Sequence, residues 1–143
     1  MSKLAIVTGA SGFIGREVCK KMTSDGWRVL PIVRRETGID GETVIDFDGD
    51  LAIQKILELP HADVIVHLAS HVSLKKNIPK KLFFGTNVLA STILASSASA
   101  WGSHLIFAST VFGGNPQLKS ESNTYKPNPY AHTKEFGEQA ILA

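Results

Sequence analysis

Between Thr8 and Gly15 the chain reads Thr-Gly-Ala-Ser-Gly-Phe-Ile-Gly, with glycines at 9, 12 and 15. The stretch follows an apolar run and opens a helical pattern. In that setting glycines serve a tight turn, close approach of backbone N–H groups to a pyrophosphate, and packing of the helix on the strand. Gly9, Ser11, Gly12, Phe13, Ile14 and Gly15 are therefore candidate contacts of a dinucleotide; the plain alternative is a glycine-rich turn that only packs. About 20 residues further on, a carboxylate normally takes the ribose 2′-hydroxyl of NAD. Here that region reads Val33-Arg34-Arg35. It lacks a carboxylate and offers two guanidinium groups, which suit bidentate capture of a 2′-phosphate, so NADP is the expected cofactor and NAD the alternative. Two solvated surface arginines, one of them neutralised by Glu36, are the competing explanation. Near the other end, Tyr130 and Lys134 stand four apart in a helical pattern, which puts both side chains on one face. A neighbouring ammonium stabilises a phenolate and moves the phenol, ordinarily near pKa ~10, toward proton exchange with a substrate. Alone, that spacing usually marks nothing more than a surface helix.

These residues need a scaffold, and the hydrophobic pattern supplies one. Leu4–Val7 is a continuous apolar run suited to a strand buried on both faces, and Phe13–Ser24 an amphipathic helix stopped by Asp25-Gly26. Val29–Val33 predicts a second strand, which tolerates Pro31 only where its missing donor is not needed. Thr43–Phe47 predicts a short third strand, Leu51–Leu59 a short helix closed by Pro60, and Val64–Leu68 a fourth strand. Lys80–Ala100 then predicts a long helix ended by Gly102, and His104–Ala108 a fifth strand. Gly113–Pro129 reads as a long polar surface loop, and a helical pattern resumes at Tyr130 and runs to the last residue. Strand and helix alternate throughout, the signature of a parallel, doubly wound α/β sheet of about five strands. The expectation is one dinucleotide-binding domain over residues 1–143.

Composition narrows the class. The chain has 143 residues, 43% apolar and 20% charged, the proportions of a folded globular chain rather than a disordered one. A formal charge of +2 is too balanced for an electrostatic grip on nucleic acid or anionic membrane, so neither is expected as a partner. Cys19 is the sole cysteine, which excludes an internal disulfide framework and suggests the cytosol. Leu4–Val7 is far too short for a signal peptide, and no stretch reads as the ~20 apolar residues of a membrane span. His67 and His71 are four apart on a strand-to-loop segment without cysteine or carboxylate partners, so no zinc site is expected, and His67 reads as a core residue.

The ordered series Thr8-Gly9-x-x-Gly12-x-x-Gly15, Asp46-Phe47, Asp63-Val64-Ile65-Val66-His67-Leu68-Ala69-Ser70, Thr86-Asn87-Val88, Ser109-Thr110-Val111-Phe112-Gly113 and Tyr130-Ala131-His132-Thr133-Lys134 resembles the extended short-chain dehydrogenase/reductase family. This is the group of NAD(P)-dependent nucleotide-sugar epimerases, dehydratases and reductases. The blocks span the whole chain. The resemblance implies that Asp46 and Phe47 border the adenine, that Leu68, Ala69, Ser70 and Asn87 lie along the cofactor, and that Lys134 also binds the nicotinamide ribose. It further implies a catalytic set of Tyr130, Lys134 and a hydroxyl from Ser109 or Thr110; Val111-Phe112-Gly113 follows that pair more closely than is usual in the family, which leaves the choice between the two open, with Thr110 preferred and Ser109 second.

Family members run to about twice this length, and the resemblance therefore implies that the chain lacks the last strands and a substrate lobe. Two functions follow. One is hydride transfer on a nucleotide sugar, with Tyr130 exchanging the proton. The other is a truncated, catalytically silent nucleotide-binding module acting through another chain. A homodimer is expected through the fifth strand's free edge and the last helix.

Overall fold

The computed structural model describes residues 2–72, 81–110 and 129–143. Strands β1 (Leu4–Thr8), β2 (Arg28–Val33), β3 (Thr43–Val44), β4 (Val64–His67) and β5 (His104–Phe107) form one sheet in the order β3-β2-β1-β4-β5, all parallel. The central strand β1 is buried at every residue, as an unbroken apolar run in a sheet covered on both faces demands. Helix α1 (Phe13–Ser24) covers one face, where Val18, Cys19 and Met22 pack on Val7, Val33 and Val66. The other face carries α2 (Ala52–Leu57), α3 (Lys81–Phe84), a π-helical turn (Gly85–Ala90), α4 (Ser91–Trp101) and α5 (Pro129–Leu142). Here Ile6, Ile32, Ile45, Ile56, Ile65 and Leu94 form the larger core cluster.

Pro31 is accommodated by register. The carbonyl of Ile32 accepts from Ala10 on the β1 side, while that of Val33 accepts from Ile45 on the β3 side. Successive residues alternate, so the Pro31 nitrogen faces β3, one residue before that strand's first pairing at Ile32 with Thr43. No donor is needed there.

Four expectations are revised. β3 ends at Val44 rather than Phe47, because Asp46 accepts from the Asp48 backbone N–H and its carbonyl accepts from Gly49, turning the chain away. α2 begins and ends inside the anticipated Leu51–Leu59, although Leu59 still buries itself in the core. Pro129 opens the last helix instead of closing the preceding loop, a position where its missing N–H costs nothing. The rest of that loop, residues 113–128, lies outside the described residues, as do residues 111 and 112 before it.

The fourth revision concerns the helix over Lys81–Trp101. It has 21 residues, and its most apolar 18-residue stretch has a mean hydropathy of 1.3, enough by length and composition to cross a bilayer, contrary to the sequence expectation. That stretch is 44% buried within the domain, as suits a core helix. Its end is the expected one: Gly102 sits at φ +68° and Ser103 donates back to the Ala98 carbonyl.

Candidate functional site

The carboxyl ends of β1, β2 and β4 open onto a cleft of about 440 Å³. Its floor is Gly9, Ser11 and Gly12, one wall is Ile32, Val33 and Arg34, and the opposite wall is Leu68, Ala69, Ser70 and His71. The glycines make this geometry. Gly9 adopts φ +68°, and a Cβ there would lie 2.8 Å from the Ala69 nitrogen. A Cβ on Gly15 would lie 2.1 Å from the Gly9 carbonyl oxygen, so α1 approaches the loop as closely as it does only because Gly15 has no side chain. No side chain caps the start of α1, and its first turn holds no carboxylate. The helix therefore presents unshielded N–H groups and the positive end of its dipole, the conditions for holding a pyrophosphate.

A buried polar chain stiffens the opposite wall. His67 is fully buried, its Nδ1 lies 2.6 Å from Thr8 Oγ1, and its Nε2 lies 3.0 Å from Ser91 Oγ. Ser91 already donates to the Asn87 carbonyl, so its oxygen must accept from His67 Nε2–H. Nδ1 is then the acceptor and Thr8 the donor, while Thr8 accepts from the Ala69 N–H. Every member is satisfied only with a neutral imidazole. Burial, assisted by the Lys134 charge, depresses the His67 pKa to about 3, which keeps it so. This is the core histidine expected from the sequence.

Asn87 joins the same wall to α5. Its side-chain oxygen accepts from Ser70 Oγ and the His71 N–H, and its amide nitrogen donates to the His71 carbonyl and Thr133 Oγ1. All four of its hydrogen bonds are made to protein. Asn87 thus shapes the wall through Ser70 and His71. Nearby, a Cβ on Gly137 would fall 2.5 Å from the Asn87 carbonyl oxygen, so α5 is pressed against the π-helical turn.

On α5, Lys134 is buried at 1% exposure, with Nζ 4.0 Å from the centroid of the Phe107 ring on β5. Burial pushes its pKa down to about 8, against the attraction of Glu138 one turn on. Glu138 also accepts a hydrogen bond from Ser109 Oγ. The β5 end, Lys134 and Glu138 therefore form one cluster, with Tyr130 a turn earlier on the same helix.

A profile of the NAD dependent epimerase/dehydratase family matches residues 5–143. The chain belongs to that family. The methionine adenosyltransferase 2 subunit beta of Xenopus laevis is 31% identical, across 99% of this chain and 43% of that protein. A short-chain dehydrogenase/reductase superfamily protein from Agrobacterium tumefaciens, solved with bound NAD, matches with a TM-score of 0.73 at 24% identity, over 96% of this chain and 44% of that one. The dTDP-4-dehydrorhamnose reductase of Bacillus anthracis, solved with NADP, gives 0.74 at 20% identity, over 99% and 50%. Both structures share the Rossmann-like fold. The chain spans less than half the length of the curated relatives it matches, 41% to 48%.

Of the site residues expected in this epimerase/dehydratase chain, Gly9, Ser11, Gly12, Arg34, Phe47, Leu68, Ala69 and Ser70 line the one cleft. Phe13 and Ile14 are exposed at the start of α1, and Arg35 is exposed beside Arg34. Asp46 departs from expectation in place: its side chain serves the turn to Asp48, and it borders a shallow depression with Gly49, Asp50 and Lys55 rather than the cleft. Asp48 is a residue that the sequence pattern does not single out. Its carboxylate accepts from both the backbone N–H and the hydroxyl of Thr86, which lines the cleft, and a Cβ on Gly85 would fall 2.4 Å from it. Its only sequence signal is the Asp-rich turn Asp46–Asp50.

Proposed function

We propose that this chain is the cofactor-binding portion of an NADP-preferring enzyme that epimerises, dehydrates or reduces a nucleotide sugar. The observation that carries the reading is the cleft itself, with an uncapped helix start at its floor and Arg34 at its rim. Family membership supports it. Gly9, Gly12 and the first N–H groups of α1 would hold the pyrophosphate, and Arg34 with Arg35 the 2′-phosphate. A bound nicotinamide would supply the centre that gives or takes a hydride. Tyr130 then exchanges the proton of the substrate hydroxyl, Lys134 stabilises its phenolate, and a β5-end hydroxyl donates to the reacting oxygen. Thr110 is the preferred hydroxyl, with Ser109, which donates to Glu138, second. The lone, half-buried Cys19 accords with work in the cytosol.

NADPH should bind this chain at least tenfold more tightly than NADH, since a bidentate arginine–phosphate contact contributes on the order of 1.5–3 kcal/mol. Replacing Arg34 and Arg35 together by alanine should erase most of that preference while leaving NADH affinity in place. Calorimetric titration measures both. Equal affinities in the unaltered protein would sink the NADP assignment.

A second reading, a silent nucleotide-binding subunit, is favoured by the relatives named as subunits of methionine adenosyltransferase. A second copy of the chain is the simplest partner. Among the described residues β5 lies at the sheet edge with Ile106 47% exposed, and α5 exposes Phe136 and Leu142. Light scattering at micromolar concentration should therefore report a dimer. A clean monomer of 15.4 kDa removes the self-association proposal.

A further inference from the structure

The connection from β2 to β3 contains a carboxylate in an unusual setting. Glu42 turns back on its own loop and accepts from the Thr37 N–H at 2.8 Å, the Gly38 N–H at 3.2 Å, the Ile39 N–H at 3.1 Å and the Thr37 hydroxyl. Its own N–H donates to the Ile39 carbonyl. Three successive amides converging on an anion form the kind of nest that proteins use to bind phosphate, and Gly38 at φ +79° supplies the left-handed residue that bends the backbone around it. The nest is already filled. Those bonds, the Thr37 hydroxyl first, hold the Glu42 pKa down at about 2, so the clamp is closed at any physiological pH.

The clamp is anchored to the fold. Ile39 packs on the cluster of Val7, Val33 and Val66, and Val33 is buried at the end of β2. Between buried Val33 and clamped Thr37 lie three exposed residues, Arg34, Arg35 and Glu36. Both ends of that short stem are fixed, one by core packing and one by Glu42. Among the described residues no acceptor engages either guanidinium, and Arg34 lines the cleft. Two long, uncommitted cations are thus displayed from a backbone that cannot wander. Capturing a phosphate with such side chains costs rotamer freedom, and an unfixed backbone would add to that cost.

We propose that Glu42 is a positioning residue for cofactor discrimination: by filling the amide nest of Thr37–Ile39 it fixes the stem from which Arg34 and Arg35 receive a 2′-phosphate. The inference rests on the proposed binding of NADP by those arginines. The nest is a stiffener and not itself the phosphate site, since its donors are satisfied from within the chain.

The test uses two small probes that differ only in the group at issue, adenosine 2′,5′-bisphosphate and 5′-AMP, titrated into the unaltered chain, Glu42→Gln, Glu42→Ala and Thr37→Val. The unaltered chain should prefer the bisphosphate. Glu42→Ala should reduce that preference by about fivefold to tenfold, the loss expected when two side chains are held from a loosened stem. Glu42→Gln should do nearly the same, because its amide presents donors to donors. Thr37→Val should produce a smaller loss, and combined with Glu42→Ala should add nothing. Affinity for 5′-AMP and the thermal midpoint should hardly change, since the clamp's hydrogen bonds lie within one loop.

If the unaltered chain binds neither probe, or shows no preference, the NADP reading fails and takes this inference with it. If it prefers the bisphosphate and Glu42→Ala keeps the full preference, that reading stands and the inference is overturned. Tighter bisphosphate binding by Glu42→Gln would also overturn it, showing that the carboxylate repels the phosphate. An equal loss for both probes would do the same, by revealing general loosening of the fold.

Discussion

Lys134→Met should give a more stable protein that has lost its function. The ammonium is almost wholly buried against the Phe107 ring, and burial lowers its pKa from 10.5 to about 8. Every tenfold weakening of proton affinity corresponds to ~1.4 kcal/mol, so the fold carries a cost of about 3 kcal/mol at neutral pH for keeping this group charged, offset in part by its contact with the aromatic face. Methionine fills similar volume without that cost, and a gain of about 1–3 kcal/mol is expected. The pH dependence has a definite sign. Between pH 8 and 10.5 the unfolded chain binds more protons at this position than the folded one, so the unaltered protein gains stability as pH rises through that window and the advantage of the methionine variant shrinks. Urea unfolding of both proteins at about pH 7 and about pH 10 measures the difference. A variant less stable at neutral pH would show that the buried cation supports the fold. Turnover, where the unaltered protein has it, should fall by a factor of ~100 or more in Lys134→Met and also in Tyr130→Phe, with the second variant retaining its stability and NADP affinity.

The glycines of the first loop should separate by function. Alanine at 15 puts a methyl group 2.1 Å from the Gly9 carbonyl oxygen and 2.8 Å from the Ala10 Cα, both backbone atoms at the junction of β1 and α1. Neither can retreat without moving strand against helix. A loss of about 3 kcal/mol or more is expected, a fall of roughly 10 °C or more in thermal midpoint for a chain of this size, with the protein partly insoluble. Alanine at 12 meets only the Gly9 carbonyl, at 3.2 Å, and Gly12 has an ordinary φ of −72°. That variant should fold with little change and lose at least tenfold in dinucleotide affinity, because the methyl group stands where a pyrophosphate approaches. Circular-dichroism melting and titration with NADPH separate the two effects. Gly12→Ala melting lower than Gly15→Ala would reverse the assignment of fold to one glycine and binding to the other.

What the sequence discloses, and what it hides, follows from the range of the forces involved. β1, α1 and the stop at Gly102 are legible because each is specified locally, by an apolar run, a four-residue period or a left-handed glycine. The end of β3 is not, because Ile45 and Phe47 have strand-forming side chains, while the turn is decided by the Asp46 carboxylate. The π-helical turn is invisible in the pattern. Thr86 donates its backbone N–H to Asp48, 38 residues earlier, and no helical period encodes a partner at that distance. The same holds for the site. Spacing brings Gly9, Gly12, Arg34 and Leu68–Ser70 to one cleft, yet Asn87 becomes a four-bonded staple and Asp46 a turn residue only once distant segments meet. Glu42 leaves no trace in the pattern, because a carboxylate folding back on three amides resembles any exposed acid on a loop.

The one-way chain of hydrogen bonds from Ala69 through Thr8, His67 and Ser91 to Asn87 has a consequence for inheritance. Each hydroxyl in it can satisfy its neighbours in one direction only, because the ends are fixed, a backbone donor at Ala69 and a backbone acceptor at Asn87. A lone Thr8→Val would strand an imidazole lone pair and an amide, and a lone Ser91→Ala would strand an imidazole N–H, each at about 1–3 kcal/mol. Replacement of the imidazole by an apolar side chain would leave two hydroxyls to find other partners. Descendants of such a chain are therefore expected to carry positions 8, 67 and 91 as a single heritable unit, kept whole or exchanged together for an apolar trio, with few surviving lineages caught between the two.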